Sequence, residues 1–189
     1  MRALEAGDLV LEPLAVGHAD AMYEVLSDPA LYRYLDYGPP PSVEHLRSVY
    51  ARLEARRSPE GSQLWLNWVV RAKDGPPLGY VQATVAANHT AWIAYVFSSR
   101  HWGRGHGTLA TRAVVDHLAS DYEVTLFLAT VEAENERSIR LLERLGFHPA
   151  TPQEAAIQAL SATERLFVCH GPGSAGAPES RRGGDGRVN

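Results

Sequence analysis

The 189-residue chain has a single cysteine, Cys169, so it can build neither an intrachain disulfide nor a cysteine-based zinc cluster. A reducing cytoplasm is the compartment such a composition suits. Lysine is almost as scarce: Lys73 stands beside 17 arginines, a bias we read as coding preference more than function. There is no excess of basic charge either, since the formal net charge is −4, and this argues against a general nucleic-acid binder. No apolar run approaches the roughly 20 residues of a membrane span, and Met1-Arg2-Ala3-Leu4-Glu5-Ala6 lacks the apolar core of a signal peptide. No internal repeat is visible. What remains is 45% hydrophobic and 21% charged, enough for one domain around one core.

Composition shifts near the end. Gly171 to Asn189 is Gly, Ser, Pro and charge, with two Ala and Val188 as its apolar residues. Such a segment buries too little apolar surface to offset the entropy of ordering it, so 171–189 is expected to be a disordered tail behind a domain within residues 1–170. Most of that domain is expected over about residues 8 to 170.

Apolar periodicity predicts the elements. Leu9 to Pro13 reads as a short strand. His18 to Ser27 has helical spacing and ends near Asp28-Pro29. A second helix follows Ser42, an N-cap with Glu44 in the first turn, and runs to about Arg57. Leu64 to Val70, Leu78 to Ala86 and Ala91 to Ser98 read as an antiparallel meander, turned at Asp74-Gly75-Pro76-Pro77 and at Ala87-Asn88-His89-Thr90. The period then changes. Thr108 to Ala119 is helical, Val124 to Val131 a strand, and Asn135 to Leu145 a helix stopped by Gly146. Strand candidates at His148 to Ala159 and Arg165 to His170 complete a mixed α/β sheet: a meander, then strand–helix–strand–helix and two terminal strands.

The stretch Trp102-Gly103-Arg104-Gly105-His106-Gly107-Thr108 lies between the meander and a helix. Alternate glycines leave backbone N–H groups free of Cβ cover at a helix N-terminus, where the macrodipole favours a phosphate. An ordinary flexible connection would read the same way. The Walker pattern fails because no lysine follows the loop. Gly105-x-Gly107-x-x-Ala110 meets the Rossmann pattern formally, but the strand ends too early, near Ser98, and antiparallel strands precede it. An NAD-binding enzyme is therefore rejected. Further on, Asn135 can cap a well-formed amphipathic helix that packs Ile139 and Leu142 inward, with Ser138 in its first turn.

Together these segments resemble the GNAT superfamily of N-acetyltransferases. The glycine loop is similar to that family's R/Q-x-x-G-x-G/A loop for the acetyl-CoA pyrophosphate. Asn135…Ser138 with Leu142-Glu143-Arg144-Leu145-Gly146-Phe147 resembles its N-x-x-S…L-x-x-x-G-F segment. The likeness extends to Leu9–Leu14 and Leu78–Val81, roughly residues 8 to 170. Trp102-Gly103 departs from the R/Q consensus but is common in the branch containing ribosomal-protein Nα-acetyltransferases.

The resemblance implies a GNAT fold and direct acetyl transfer from acetyl-CoA, as co-substrate and without a metal, to an amine. That amine would be a protein N-terminus or a small molecule such as an amino sugar or antibiotic, and a homodimer is compatible with the family. Val96 and Phe97 would pair through their backbone with the pantetheine arm. The amides of Arg104, Gly105, His106, Gly107 and Thr108 would hold the pyrophosphate, with the Arg104 side chain at a second phosphate. Asn135 would bond the pantetheine amides. Ser138, one turn on, would donate to the departing thiolate; its structural alternative is a hydroxyl-to-backbone bond within the turn.

Many family members carry a Glu on the third meander strand to deprotonate the amine. Trp92 occupies that position here, which keeps a non-catalytic acyl-CoA-binding module as the alternative function. Glu132 and Glu134 are the nearest carboxylates, His101 and His106 flank the loop, His89 sits in a turn, and a water chain could serve instead. An α-amine, with a pKa of about 8, is roughly a tenth neutral near pH 7, whereas a Lys amine at about 10.4 is below a thousandth. A site without a strong base thus suits an α-amine or a low-pKa amino sugar. Tyr32, Tyr34, Tyr37, Trp65, Trp68, Trp92 and Tyr95 are candidates for an aromatic acceptor wall that could stack on a cation, with Asp36 as an attracting charge.

Overall fold

The computed structural model describes residues 1–155 and 160–171. Eight strands form one sheet: β1 (Leu4–Ala6), β2 (Leu9–Pro13), β3 (Gln63–Ala72), β4 (Pro77–Ala86), β5 (Thr90–Phe97), β6 (Leu126–Glu132), β7 (His148–Pro149) and β8 (Glu164–His170). Their spatial order is β1-β2-β3-β4-β5-β6-β8-β7, and every pair is antiparallel except β5 with β6. The helices are α1 (Ala19–Leu26), α2 (Val43–Leu53), α3 (His106–Asp121), α4 (Glu136–Arg144) and a single turn, α5 (Pro152–Ala155).

Both faces of the sheet are covered, which is why the centre of β3 is buried on every residue instead of alternating. Leu66, Trp68 and Val70 join Val81, Ile93 and Phe97 beneath α3 and α4, against Ala110, Val114, Leu118 and Leu142. Val69 points the other way, into the core that α1 and α2 build with Met22, Leu26, Leu46 and Tyr50. Ser42 caps α2, its side chain accepting from the His45 amide, as expected. The C-terminus of α4 also follows expectation. Gly146 is left-handed (φ 89°), the Phe147 amide donates to the Leu142 carbonyl and the Gly146 amide to Glu143, a Schellman closure.

Three expectations change. The strand expected over His148 to Ala159 reduces to two residues of β7 followed by α5, with 156–159 outside the described residues. Pro149 and Pro152 lack ladder donors, and Thr151 with Glu154 forms a capping box: the Thr151 amide donates to Glu154 Oε2 at 2.7 Å and the Glu154 amide to Thr151 Oγ1 at 3.3 Å. The second helix stops at Leu53, short of Arg57, because Arg56 is left-handed (φ 58°) and its carbonyl accepts from Trp65, turning the chain into β3. The hairpin partner β1, missed in the sequence, pairs Leu4 with Leu11 and buries Leu4. Gly171 is buried and its amide donates to Thr125 O at 2.9 Å; the rest of the expected tail, 172–189, lies outside the described residues.

Candidate active site

β5 and β6 run parallel but are paired only from Thr90↔Leu126 to Trp92↔Leu128. Beyond that point β5 stays with β4 and β6 stays with β8, so the two strands part. The gap opens into a cleft of about 1070 Å³ between the C-terminal halves of both strands, the first turns of α4 and residues 30–37. Lining residues come from both faces of the sheet: Ile93, Tyr95 and Phe97 from the α3/α4 side, Gln82, Ala94 and Val96 from the other.

Register decides which backbone groups face this gap. The Ser98 amide donates to Leu78 O at 2.8 Å, so by antiparallel alternation the even-numbered residues of β5 turn their N–H and C=O groups to β4. Ile93, Tyr95 and Phe97 turn theirs to the gap. The Val96 carbonyl agrees, filling the space a β-carbon on Gly79 would need. Of the two residues expected at the open edge, Phe97 is there; Val96 is not, and it lends only its side chain to the floor. The Phe97 carbonyl also accepts from Trp102 Nε1 at 2.7 Å, which pins the start of the glycine loop to the end of β5.

Gly105 is the N-cap of α3 in the left-handed region (φ 82°), and no side chain caps the helix. The first intrahelical bond is Leu109 N to Gly105 O, so the amides of His106, Gly107 and Thr108 have no acceptor within the helix. Gly107 has a second duty: a β-carbon there would stand 2.9 Å from Leu141 Cδ1, so glycine lets α3 close on α4. Arg104 is exposed. Arg137, unremarked in the sequence, lays its guanidinium 3.4 Å over the Trp102 ring, between the loop and the cleft.

Asn135 caps α4, Oδ1 accepting from the Ser138 amide at 3.2 Å. Both side chains line the cleft. The Ser138 hydroxyl makes no hydrogen bond to the backbone among the described residues; its side-chain neighbour is the Tyr95 phenol, within hydrogen-bonding reach. Tyr95 donates its hydroxyl to the Ser138 carbonyl at 3.2 Å, bracing α4 against β5, and burial raises this phenol far above its ordinary pKa.

Trp92 lies below the splay, packed on Leu128, Leu166 and Val168, and supplies no proton acceptor. Carboxylates ring the cleft: Asp36, Glu132, Glu134, Glu136 and Glu164 against Arg33, Arg137 and Arg140. Glu164 is occupied by the Ser161 amide at 3.0 Å. His101 and His106 each hold a shielded Nδ1 without a hydrogen-bond partner among the described residues, and burial, then the Arg104 charge, lowers the His101 pKa. His89 is a left-handed turn residue outside the cleft lining. Of the candidate aromatic wall, Trp68 is core and Trp65 is half-buried beside Gln63. Tyr34, Tyr37 and Tyr95 line the cleft. The segment that carries Tyr34 and Tyr37 is tied down by Asp28, which accepts from Ser99 Oγ at 2.5 Å and from the Ala30 amide at 3.0 Å.

A sheet splayed between parallel strands, with an uncapped helix N-terminus beside the gap, suits a long phosphorylated thioester. Residues 8–148 match the Acetyltransferase (GNAT) domain, and the chain belongs to that family: it is an acetyl-CoA-dependent N-acetyltransferase. Among curated relatives, the N-acetyltransferase p20 of Bacillus licheniformis is 27% identical over 149 residues, 78% of this chain and 83% of p20. The solved structure of RimL, a ribosomal L7/L12 alpha-N-protein acetyltransferase in complex with coenzyme A, superimposes with a TM-score of 0.72 at 18% identity, covering 87% of this chain and 95% of that one. The microcin C7 self-immunity acetyltransferase MccE, in complex with acetyl-CoA and AMP, gives 0.71 at 18% identity over 87% and 93%. At these identities the structural likeness is one of fold. No helix among the described residues is long and apolar enough to cross a membrane.

Proposed function

We propose that this enzyme transfers acetyl directly to a neutral α-amine that reaches the gap from the face covered by α1 and α2. The gap between β5 and β6 carries this reading, because it exposes one strand edge and is lined from both faces of the sheet. The amides of residues 104–108 hold the pyrophosphate, with Arg104 and Arg137 as flanking cations. The edge groups of Tyr95 and Phe97 pair with the pantetheine arm as an added strand would, and Asn135 bonds its amides.

Acetyl-CoA supplies the activated acyl carbon. As the N–C bond forms and the C–S bond breaks, the Ser138 hydroxyl relays to sulfur the proton that nitrogen sheds. With Trp92 where a base would sit, no side chain on β5 deprotonates the amine. The acceptor must then arrive neutral, or lose its proton through water to a cleft carboxylate such as Glu132 or Glu134. A thiol-release assay with acetyl-CoA and a panel of peptides, amino sugars and polyamines tests the reading. Release with α-amines is expected. Tight CoA binding without turnover across the panel would identify a binding module instead.

A further inference from the structure

Beneath α1 and α2 lies a second cavity, of about 370 Å³, small for a ligand pocket but within the usual range. It meets the cleft at Tyr37, Gln82 and Val96, which line both. Leu26, Leu46 and Val49 form apolar walls, and Gly38-Pro39-Pro40-Pro41 closes one side. Among the described residues no Asp, Glu, Lys or Arg lines it, and the exposed His45 stands at its rim.

Of the polar side chains that line this cavity, Tyr50, Asn67 and Gln82 matter most. Tyr50 is 3% exposed, and its hydroxyl is shielded from solvent without a hydrogen-bond partner among the described residues. On the sheet below, Asn67 stands opposite Gln82 and Gln82 opposite Ala94. This puts two carboxamides side by side between the rows Val69–Tyr80–Val96 and Trp65–Thr84–Trp92. The Asn67 amide donates to Trp65 O at 3.3 Å, while the Gln82 carboxamide makes no hydrogen bond among the described residues. Ala94 leaves open the space beside Gln82 that a larger residue would fill. Burial raises the pKa of the Tyr50 and Tyr80 phenols well above the ordinary value and that of Tyr32 to about 12, so these hydroxyls are neutral donors and acceptors at physiological pH.

An unpaired charge in such a cavity would lose its hydration with no counter-ion to replace it. A neutral flat group would lose nothing of that kind, and one with a polar edge would satisfy the Tyr50 hydroxyl. We propose that this cavity receives the acceptor's side group, and that the enzyme selects α-amines bearing an uncharged ring with a polar edge, such as a tyrosine or tryptophan at the start of a peptide. Gln82 and Asn67 bond the adjoining peptide group, leaving the amine at the cavity mouth beside the gap. The inference rests on the transfer reaction proposed above.

Calorimetry on the CoA-loaded enzyme with the product analogues N-acetyltyrosinamide and N-acetyllysinamide tests it, alongside kcat/KM for tyrosinamide, phenylalaninamide, lysinamide and spermidine. The tyrosine forms are expected to bind and turn over at least about tenfold better than the charged ones. Tyr50→Phe should erase the preference for tyrosinamide over phenylalaninamide while the acetyl-CoA Kd stays within about twofold. Val49→Trp, filling the cavity, should abolish N-acetyltyrosinamide binding; if it does not fold by thermal melt, Tyr50→Phe decides alone. Equal or better use of lysinamide or spermidine, or an unchanged tyrosine preference in Tyr50→Phe, overturns the inference. Turnover of charged amines alone would leave the transfer reaction standing, whereas failure to bind acetyl-CoA would remove both.

Discussion

Tyr95 braces α4 through the Ser138 carbonyl, which an alanine keeps, and the hydroxyl has only the Tyr95 phenol beside it, so Ser138→Ala separates chemistry from stability. Its unfolding free energy in denaturant melts should stay within the roughly 0.5 kcal/mol typical of such changes. Its kcat and kcat/KM should fall together by about tenfold or more while acetyl-CoA KM barely moves, the pattern of a group acting only in the transition state. Asn135 does two jobs, and two substitutions divide them. Asn135→Ala removes the α4 cap and should cost about 0.5–2 kcal/mol in denaturant melts. Asn135→Asp keeps an equally good cap but loses the amide donor, so stability should hold while the acetyl-CoA Kd rises. Both residues were legible in the sequence because a cap and its helix period are local patterns. Val96 was not: whether a strand residue shows its backbone to one neighbour or the other depends on register, here set by β4 passing Gly79 against the Val96 carbonyl. Tyr50, Asn67 and Gln82 were hidden for a similar reason, since they converge only when α2, β3 and β4 are stacked.

At the scale of elements, the phosphate site depends on where α3 begins. A β-carbon on Gly105 meets open space, so Gly105→Ala produces no clash, but the left-handed backbone (φ 82°) costs roughly 1–2 kcal/mol for a side-chain-bearing residue. The first turn should shift to relieve it. We expect a stability loss of about that size by chemical denaturation and a several-fold weaker acetyl-CoA Kd by calorimetry. An unchanged affinity would detach the loop from the phosphates. Meander strands and long helices were readable because their apolar periods persist over many residues. The segment after His148 misled because its apolar content resembled a strand, while the Thr151-x-x-Glu154 cap and two prolines, all visible in the sequence, specified a break. The three residues of β1 are too few to show any period. The parallel pairing of β5 with β6, and the point where it stops, follows from how α3 carries the chain across the sheet, which no local window reports.

The whole molecule responds to acid through groups that folding desolvates or pairs. His117 is 5% exposed, edge-on between Trp68 and Tyr122 at 5.9 and 5.4 Å. Burial holds its imidazole below the ordinary 6.5; Asp121, 3.3 Å away, opposes that shift, and Arg2 and the N-terminus reinforce it. His101 is lowered likewise. Between the folded and unfolded pKa values the unfolded chain binds more protons, so stability is complete above pH 6.5 and falls as pH drops below it. The slope is at most about 1.4 kcal/mol per pH unit for each proton. Glu12, held down by its hydrogen bonds to Arg71, and Asp28, held down by Ser99, act with the same sign at lower pH. Their contribution is present above about 4.5 and 3.8, their ordinary values, and is lost as pH falls through the depressed ones. The melting temperature should therefore be flat from about pH 8 to 7 and decline below 6.5, and His117→Phe should flatten the first part of that decline. Activity should behave differently. If the acceptor must arrive neutral, kcat/KM falls about tenfold per unit below the amine pKa near 8, in a range where the fold is unaffected. Melts and rates taken on the same samples from pH 5 to 9 distinguish the two. A rate profile that instead stayed level below the amine pKa and fell only below one enzyme pKa, the same for acceptors of different basicity, would place a true base in the cleft, and Glu132 and Glu134 would be the first to replace.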